Sequence, residues 1–428
     1  MRLGGRLSGA IDILADIETR RRPVADALKD WGLSHRFAGS GDRAAIGNIV
    51  YDALRMKLSH AFLLDDDSPA ALAYGVLLRQ WGYTPEALAA ALEGDSFAPE
   101  PLGEARLAAF SSRSLADAPL FVQGDVPDWV EPSLEAAFGA GWLKEAQALC
   151  ERPSLDLRAN TLKSTRDKVI KALERSGAEP APIAPNGIRI APGEGPSRLP
   201  NVTAELAFQK GWFEVQDEGS QLVADLVEAG EGEQVLDFCA GGGGKTLAMA
   251  AAMNNKGQVH AFDADRKRLA PIIERLKRAG THNVQVHDRP EALQKLEGRM
   301  DKVLVDAPCT GTGTWRRRPD TKWRLTPRNL QERIDQQAEA LADAARHVRP
   351  GGELIYVTCS ILPEENQNQI AAFVARHPEF SAVPLMPRWQ ARFGTAHKPV
   401  ESETGGLTLS PGLTGTDGFF CARLQRAL

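Results

Sequence analysis

From Val235 onward, short apolar runs alternate with longer segments of helical periodicity, and this alternation limits the fold more than any other feature. The runs are Val235–Phe238, Gln258–Phe262, Val284–His287, Val303–Val305 and Glu353–Thr358. Helical patterns such as Leu247–Met253, Arg266–Ala279 and Gln331–Val348 lie between them. Strands that are apolar throughout, each followed by a helix, belong to a parallel sheet covered on both faces. An α/β domain is therefore expected over residues 213–428. Its tail, Leu407–Leu409 and Gly418–Leu424, reads as a closing hairpin.

The chain of 428 residues has room for two or three domains at roughly 100–200 residues each. The first 150 residues are rich in Ala, Leu and charged residues, with the helical domain itself placed over residues 1–125. Ala44, Ile46, Ile49, Val50, Ala53 and Leu54 form one amphipathic stripe, and Leu72, Val76, Leu77 and Leu78 resemble another. An all-helical domain follows from this pattern. Pro99, Pro101 and the stretch Pro119 to Pro132 mark breaks and a linker. Residues 126–212 read as that linker plus a small α+β subdomain. There, Leu155–Leu157 and Gly187–Ile190 are β-prone and flank a helical segment, Thr165–Ser176.

Several classes are excluded. No apolar run reaches the ~18 residues of a membrane span, and the first 22 residues carry Asp12, Asp16 and Glu18, unlike a secretory signal. The five cysteines are scattered and never form Cys-x-x-Cys, so neither a disulfide framework nor a metal site is expected. A reducing, cytoplasmic setting fits. A net charge of −5 does not announce a nucleic-acid binder, although binding phosphate needs only a local basic patch.

Chemistry concentrates on the carboxyl ends of the expected strands. Val235-Leu-Asp-Phe-Cys239-Ala240-Gly241-Gly242-Gly243-Gly244-Lys245-Thr246 runs a strand through four glycines into a helix. Such a turn admits a ligand against bare backbone, with helix N–H groups aimed at it. It lacks the spacing of GxGxxG or a P-loop, and a tight strand–helix turn would look similar. Asp263 stands roughly 20 residues further on, where ribose hydroxyls would be bound. Asp288 is placed to accept from an adenine amino group. Asp306 closes the next strand. Singly, each would be an ordinary cap or turn residue. In succession on one rim, they favour a nucleotide-like cofactor.

Two cysteines share that rim. Cys309 lies in Asp306-Ala-Pro-Cys-Thr-Gly-Thr-Gly-Thr-Trp315, and Cys359 in Tyr356-Val-Thr-Cys-Ser360, followed by Leu362-Pro-Glu-Glu-Asn366. A lone cysteine is usually a small buried hydrophobe, which is the reading for Cys150 and Cys421. Cys309 and Cys359 instead sit beside turn residues and near cations, the setting that activates a thiol. Cys239, inside the glycine loop, would meet a ligand through its backbone. The run Arg316-Arg317-Arg318, with Lys322 and Arg324 among Trp315 and Trp323, suits a flexible segment that meets RNA phosphates and bases. Two core tryptophans in a solvated loop would give the same pattern.

Taken together, these motifs resemble the Nop/Sun/RsmB group of RNA cytosine-5 methyltransferases. The resemblance spans about Pro127 to Leu424 and rests on Cys-Ala-Gly-Gly-Gly-Gly-Lys-Thr, the Asp-Ala-Pro-Cys run, Val-Thr-Cys-Ser with Pro-Glu-Glu-Asn, and the closing Asp417-Gly-Phe-Phe-Cys-Ala-Arg-Leu424. Val215-Gln-Asp-Glu-Gly-Ser-Gln-Leu222 matches a further element, and Leu157-Arg-Ala-Asn-Thr161 resembles the group's small, RRM-like RNA-contacting subdomain. Gly41 to Arg55 looks like the helical NusB-like RNA-binding domain of the bacterial RsmB branch.

The resemblance implies a Rossmann-like class I methyltransferase domain with a seven-stranded, mostly parallel sheet. It implies S-adenosylmethionine as cofactor, bound by residues 239–245 with Asp263, Asp288 and Asp306. RNA is the implied partner, 16S ribosomal RNA before transfer RNA, and the enzyme is expected to act as a monomer. Where the group's loop usually has Ala-Pro, this chain has Gly241-Gly242, which predicts a more flexible loop.

The implied chemistry is covalent. Adding a thiolate to C6 of cytosine makes C5 nucleophilic. Asp306 is the carboxyl placed to assist at N3. Local sequence would make Cys309 the nucleophile, as in DNA cytosine-5 methyltransferases. The resemblance points instead to Cys359, with Cys309 assisting breakdown of the adduct. Lys245 would lie near the base. A DNA methyltransferase would need a large insertion after Cys309, and none is present. A non-catalytic assembly factor would not need both cysteines.

Overall fold

The computed structural model describes residues 1–428, which form two compact units. The first unit comprises Met1–Pro153 together with Pro192–Leu199 and Thr314–Leu325. Its body is helical, and helices continue through the stretch read as a linker as far as Ala148. The helix Ser40–Arg55 buries Ala45, Ile46, Ile49, Val50, Ala53 and Leu54, while Ala44 at the edge of the stripe is half-buried. Leu72 and Val76–Leu78 are buried as well, across a helix that ends in a π turn at Val76–Gln80. Ser68 and Thr84 cap helices that begin with Pro69 and Pro85, where a missing N–H costs nothing.

The basic, aromatic run is part of this helical unit, which corrects its reading as a flexible RNA segment. Trp315 and Lys322 are each 1% exposed and Arg316 is buried, leaving Arg318 and Arg324 at the surface and Arg317 half-buried. The physical reason is the end of the helix Ser40–Arg55, whose last carbonyls have no partner within the helix. Trp323 Nε1 donates to Leu54 O at 2.6 Å, and Lys322 Nζ donates to Arg55 O at 3.0 Å. Lys322 Nζ also lies 4.8 Å from the Trp323 ring centroid. Two features that read as RNA contacts are a helix cap and its packing.

The second unit holds two sheets. A small antiparallel sheet contains β1 (Leu155–Ala159), β2 (Ala178–Pro180), β3 (Gly187–Ile190) and β4 (Phe213–Val215), in the order β2-β3-β1-β4. Because Leu157 pairs with Val215, this subdomain runs three residues past the expected boundary at 212.

The large sheet contains β5 (Gln234–Asp237), β6 (Gln258–Phe262), β7 (Val284–His287), β8 (Met300–Asp306), β9 (Val348–Thr358), β10 (Phe380–Val383), β11 (Val400–Glu401), β12 (Leu407–Leu409) and β13 (Phe419–Arg426). Its order is β11-β12-β13-β9-β8-β5-β6-β7, with β10 also paired to β13. Strands β5 to β9 are parallel, as the alternation requires. The sheet has nine strands rather than seven, because the tail adds antiparallel strands beyond the hairpin β12–β13.

Both faces are covered. Leu304, Ile355 and Val357 pack with Leu222, Val223, Met249 and Ala250, whereas Val303, Val305 and Leu354 pack with Leu341, Ala344, Ile370 and Phe373. The chain runs outward from β5 to β6 and β7, then returns to β8 on the other side of β5. That reversal opens a crevice at the carboxyl ends of β5 and β8. The helix expected over Arg266–Ala279 is split at Pro271 into Arg266–Leu269 and Ile272–Ala279. No helix is long and apolar enough to cross a membrane.

Candidate active site

The glycine loop leaves β5 at Asp237 and enters the helix Gly244–Ala252. Gly241 and Gly243 have φ of 50° and 82°, the left-handed region that favours glycine. A Cβ on Gly243 would stand 2.5 Å from Ile272 Cγ1. The loop is tied on both sides. Ala240 N–H donates to Phe262 O at 2.8 Å, Gly241 N–H to Asp263 Oδ2 at 2.8 Å, and Arg275 Nη1 to Gly242 O at 2.5 Å. The Gly241-Gly242 pair therefore sits in a turn held by three hydrogen bonds.

Asp263, just beyond β6, is 4% exposed; its other oxygen accepts from Asp265 N–H at 2.8 Å. Each of its oxygens retains a lone pair for a hydroxyl. Asp288 follows β7 in an exposed position, 3.9 Å from Arg266. Cys239 is half-buried, and burial drives its thiol pKa up.

Sequence reasoning quoted Asp237 within the motif and gave it no role. It is 1% exposed, its Oδ2 accepts from Thr246 Oγ1 at 2.6 Å, and its Oδ1 has no partner. An acid closing the strand before a glycine turn was the signal available. Burial raises its pKa from 3.8 to about 7. A carboxyl raised in the folded state stabilises below the unfolded pKa and loses that contribution as pH climbs through the folded value. Asp237→Asn is therefore expected to flatten the fall in thermal midpoint from about pH 4 to about pH 7. A mutant curve parallel to wild type across that window refutes this.

Cys309 and Cys359 follow neighbouring parallel strands, β8 and β9, and their sulfurs are 3.3 Å apart. Ala307 N–H donates to Val357 O at 2.8 Å, and Gly313 N–H donates to Cys359 O at 3.0 Å. Gly313 must be glycine, since a Cβ there would be 2.2 Å from Gly418 O. Thr312 and Ser360 join hydroxyls at 2.9 Å behind the sulfurs.

Beside β8, Lys245 Nζ donates to Asp306 Oδ2 at 2.7 Å and lies 5.3 Å from the Phe419 ring centroid. Burial works against the Lys245 ammonium, but Asp306, Cys359 and Asp237 outweigh it and raise its pKa. The Cys309 thiol is pushed well above its ordinary range by its bond to Cys359, by burial and by Glu365. Cys150 and Cys421 are buried elsewhere, with burial pushing their thiols to about 11 and about 12.

A bare-backbone turn at the switch point, acids at successive strand ends and an unpartnered buried carboxyl oxygen fit an adenosyl amino acid. They define a Rossmann-like fold of the S-adenosylmethionine-dependent methyltransferases. Residues 224–425 match the family described as 16S rRNA methyltransferase RsmB/F, and residues 126–193 match the ferredoxin-like domain of RsmF/B-like methyltransferases. The chain belongs to the RsmB/F methyltransferase family.

Ribosomal RNA small subunit methyltransferase B of Photorhabdus laumondii is 35% identical over 305 residues, 70% of this chain and 66% of that protein. The protein of that name from Yersinia pseudotuberculosis is 38% identical over 257 residues, 59% of this chain and 58% of its own. The chain thus spans somewhat less than two thirds of these relatives. The crystal structure of PH0851 superposes over the whole of both chains, with a TM-score of 0.74 and 26% identity. NSun6 from Pyrococcus horikoshii, solved with SFG, shares the fold at a TM-score of 0.61 and 22% identity, over 71% of this chain and 98% of its own.

Proposed function

We propose that the protein transfers a methyl group from S-adenosylmethionine to C5 of a cytosine in 16S ribosomal RNA, through a covalent bond between Cys359 and C6. The observation that carries this reading is the pair of sulfurs 3.3 Å apart on one strand rim, beside the Lys245–Asp306 pair. The names of the bacterial relatives support ribosomal RNA as the substrate class. The helical unit and the small antiparallel sheet are assigned to RNA binding, and the enzyme to the cytoplasm as a monomer.

Lys245, whose ammonium is held by Asp306, supplies a buried positive charge on the rim that carries Cys359. Cys359 adds to C6, and electron density from C5=C6 moves toward N3 and O2. Asp306, held as an acceptor by Lys245, takes the exocyclic amino group, while the ammonium donates toward N3. Asp306, expected to assist at N3, thus shares that task with Lys245. When bound, S-adenosylmethionine supplies an electrophilic methyl group on a sulfonium centre. The glycine loop and Asp263 hold the cofactor against the rim, with Asp288 assigned to its adenine and Cys239 and Ala240 contributing backbone. After transfer, the C5–H electron pair re-forms C5=C6 and expels the Cys359 sulfur; in the same step Cys309 gives its proton to that sulfur and takes the C5 proton in return. A thiol with a raised pKa is a strong base once ionised.

Bisulfite sequencing of RNA from cells with and without the gene tests the substrate. A 16S cytosine should lose protection when the gene is deleted. Loss confined to transfer RNA overturns the choice of substrate, and no loss in any RNA overturns the activity.

A further inference from the structure

Motif residues Glu365 and Asn366 take no part in the reaction as written, yet both are essentially sealed from solvent. They lie just after β9, where Pro363–Glu365 forms a 3-10 turn. Glu365 Oε1 accepts from Thr310 N–H at 2.8 Å and from Gln337 Nε2 at 2.9 Å. Its Oε2 accepts from Thr310 Oγ1 at 2.5 Å. Gln337 Nε2 also donates to Pro308 O at 3.0 Å. Both neighbours of Cys309 are thus held through one carboxyl.

Asn366 does the same for the other sulfur. Its Oδ1 accepts from Thr358 Oγ1 at 2.6 Å, and its Nδ2 donates to Ser360 O at 3.0 Å. The Tyr356 hydroxyl anchors the pair by donating to Glu365 O at 2.7 Å. Two consecutive residues therefore set the register between the cysteine loops. A fully buried carboxyl is an expensive way to hold a loop if hydrogen bonding is all that is required. Its charge also helps to raise the Cys309 pKa.

We infer that Glu365 is a positioning residue that acts through Cys309, holding its sulfur beside Cys359 for the release half of the reaction. The inference rests on the release role proposed for Cys309. Glu365→Gln should form the RNA adduct at the wild-type rate and release methylated RNA about 10²-fold more slowly. Added to Cys309→Ala, it should cost nothing further, because both changes act on one group. Thr310→Val, which removes one bond from the same carboxyl, should slow release in the same sense but less. A purely structural role would instead slow adduct formation together with release.

Alkylation of Cys309 by iodoacetamide, in a Cys359→Ser background without RNA, reads the clamp separately. Glu365→Gln should speed it several-fold. Unchanged alkylation together with wild-type release overturns the clamp. Faster alkylation with wild-type release keeps the clamp and removes Cys309 from the release step.

Discussion

Cys359→Ala is expected to abolish the protein–RNA adduct and to reduce methylation by roughly 10⁴-fold or more, the scale of losing a covalent nucleophile. Cys309→Ala is expected to do the opposite to the adduct, which should form and persist while turnover fails. The asymmetry follows from the setting of the two sulfurs. Cys309 is held as the thiol by its bond to Cys359, by burial and by Glu365, which leaves Cys359 as the sulfur to attack. Denaturing gels of enzyme mixed with RNA and S-adenosylmethionine separate the two cases directly. An adduct that survives Cys359→Ala and disappears in Cys309→Ala reverses the assignment.

The second large effect concerns stability. Trp315→Ala should destabilise the helical unit by about 3–5 kcal/mol, the usual cost of emptying a core tryptophan site. Trp315 is 1% exposed and packs beside Lys322, whose ammonium satisfies the end of the helix Ser40–Arg55. Substituting Ala removes the ring and loosens that cap together. By contrast, Arg318→Ala, at the surface, should change stability by less than about 0.5 kcal/mol, and Arg324→Ala, which strips the cation from the buried Asp320 carboxyl, should fall between the two. Denaturant titration compares the three. If Trp315→Ala unfolds at the wild-type midpoint, the segment is not part of the core. A change that weakens RNA binding without altering stability would return it to the RNA surface.

The parallel core was legible because buried strands and covering helices leave different periodicities, and those survived from Val235 to Thr358. So did the rim, since strand-end acids and a glycine turn mark it without knowledge of contacts. Pairing partners were not legible. Nothing in the local sequence says that Phe213–Val215 joins β1 or that the tail adds strands beyond its hairpin, because both depend on distant backbone groups. The run from Trp315 to Arg324 was left between two readings for the same reason. Alternating cations and aromatics look alike whether they face phosphates or the open carbonyls of another helix. Asp237 was visible as a letter, but only burial gives it a raised pKa.

The insertion of Thr314–Leu325 into the helical unit has a consequence for biosynthesis. The apolar cluster from Leu7 to Leu88 is made early, but Trp323, which packs on it, and Lys322, which caps the helix Ser40–Arg55, come only with residues 314–325. At about 5–20 residues per second, the N-terminal helices wait roughly 10–30 s after residue 153 for Trp315 and Lys322 to arrive. During that interval the end of the helix Ser40–Arg55 and its apolar neighbours stay exposed, a natural target for a nascent-chain chaperone. Completion of the amino-terminal unit is thus expected to follow translation of residues 154–325.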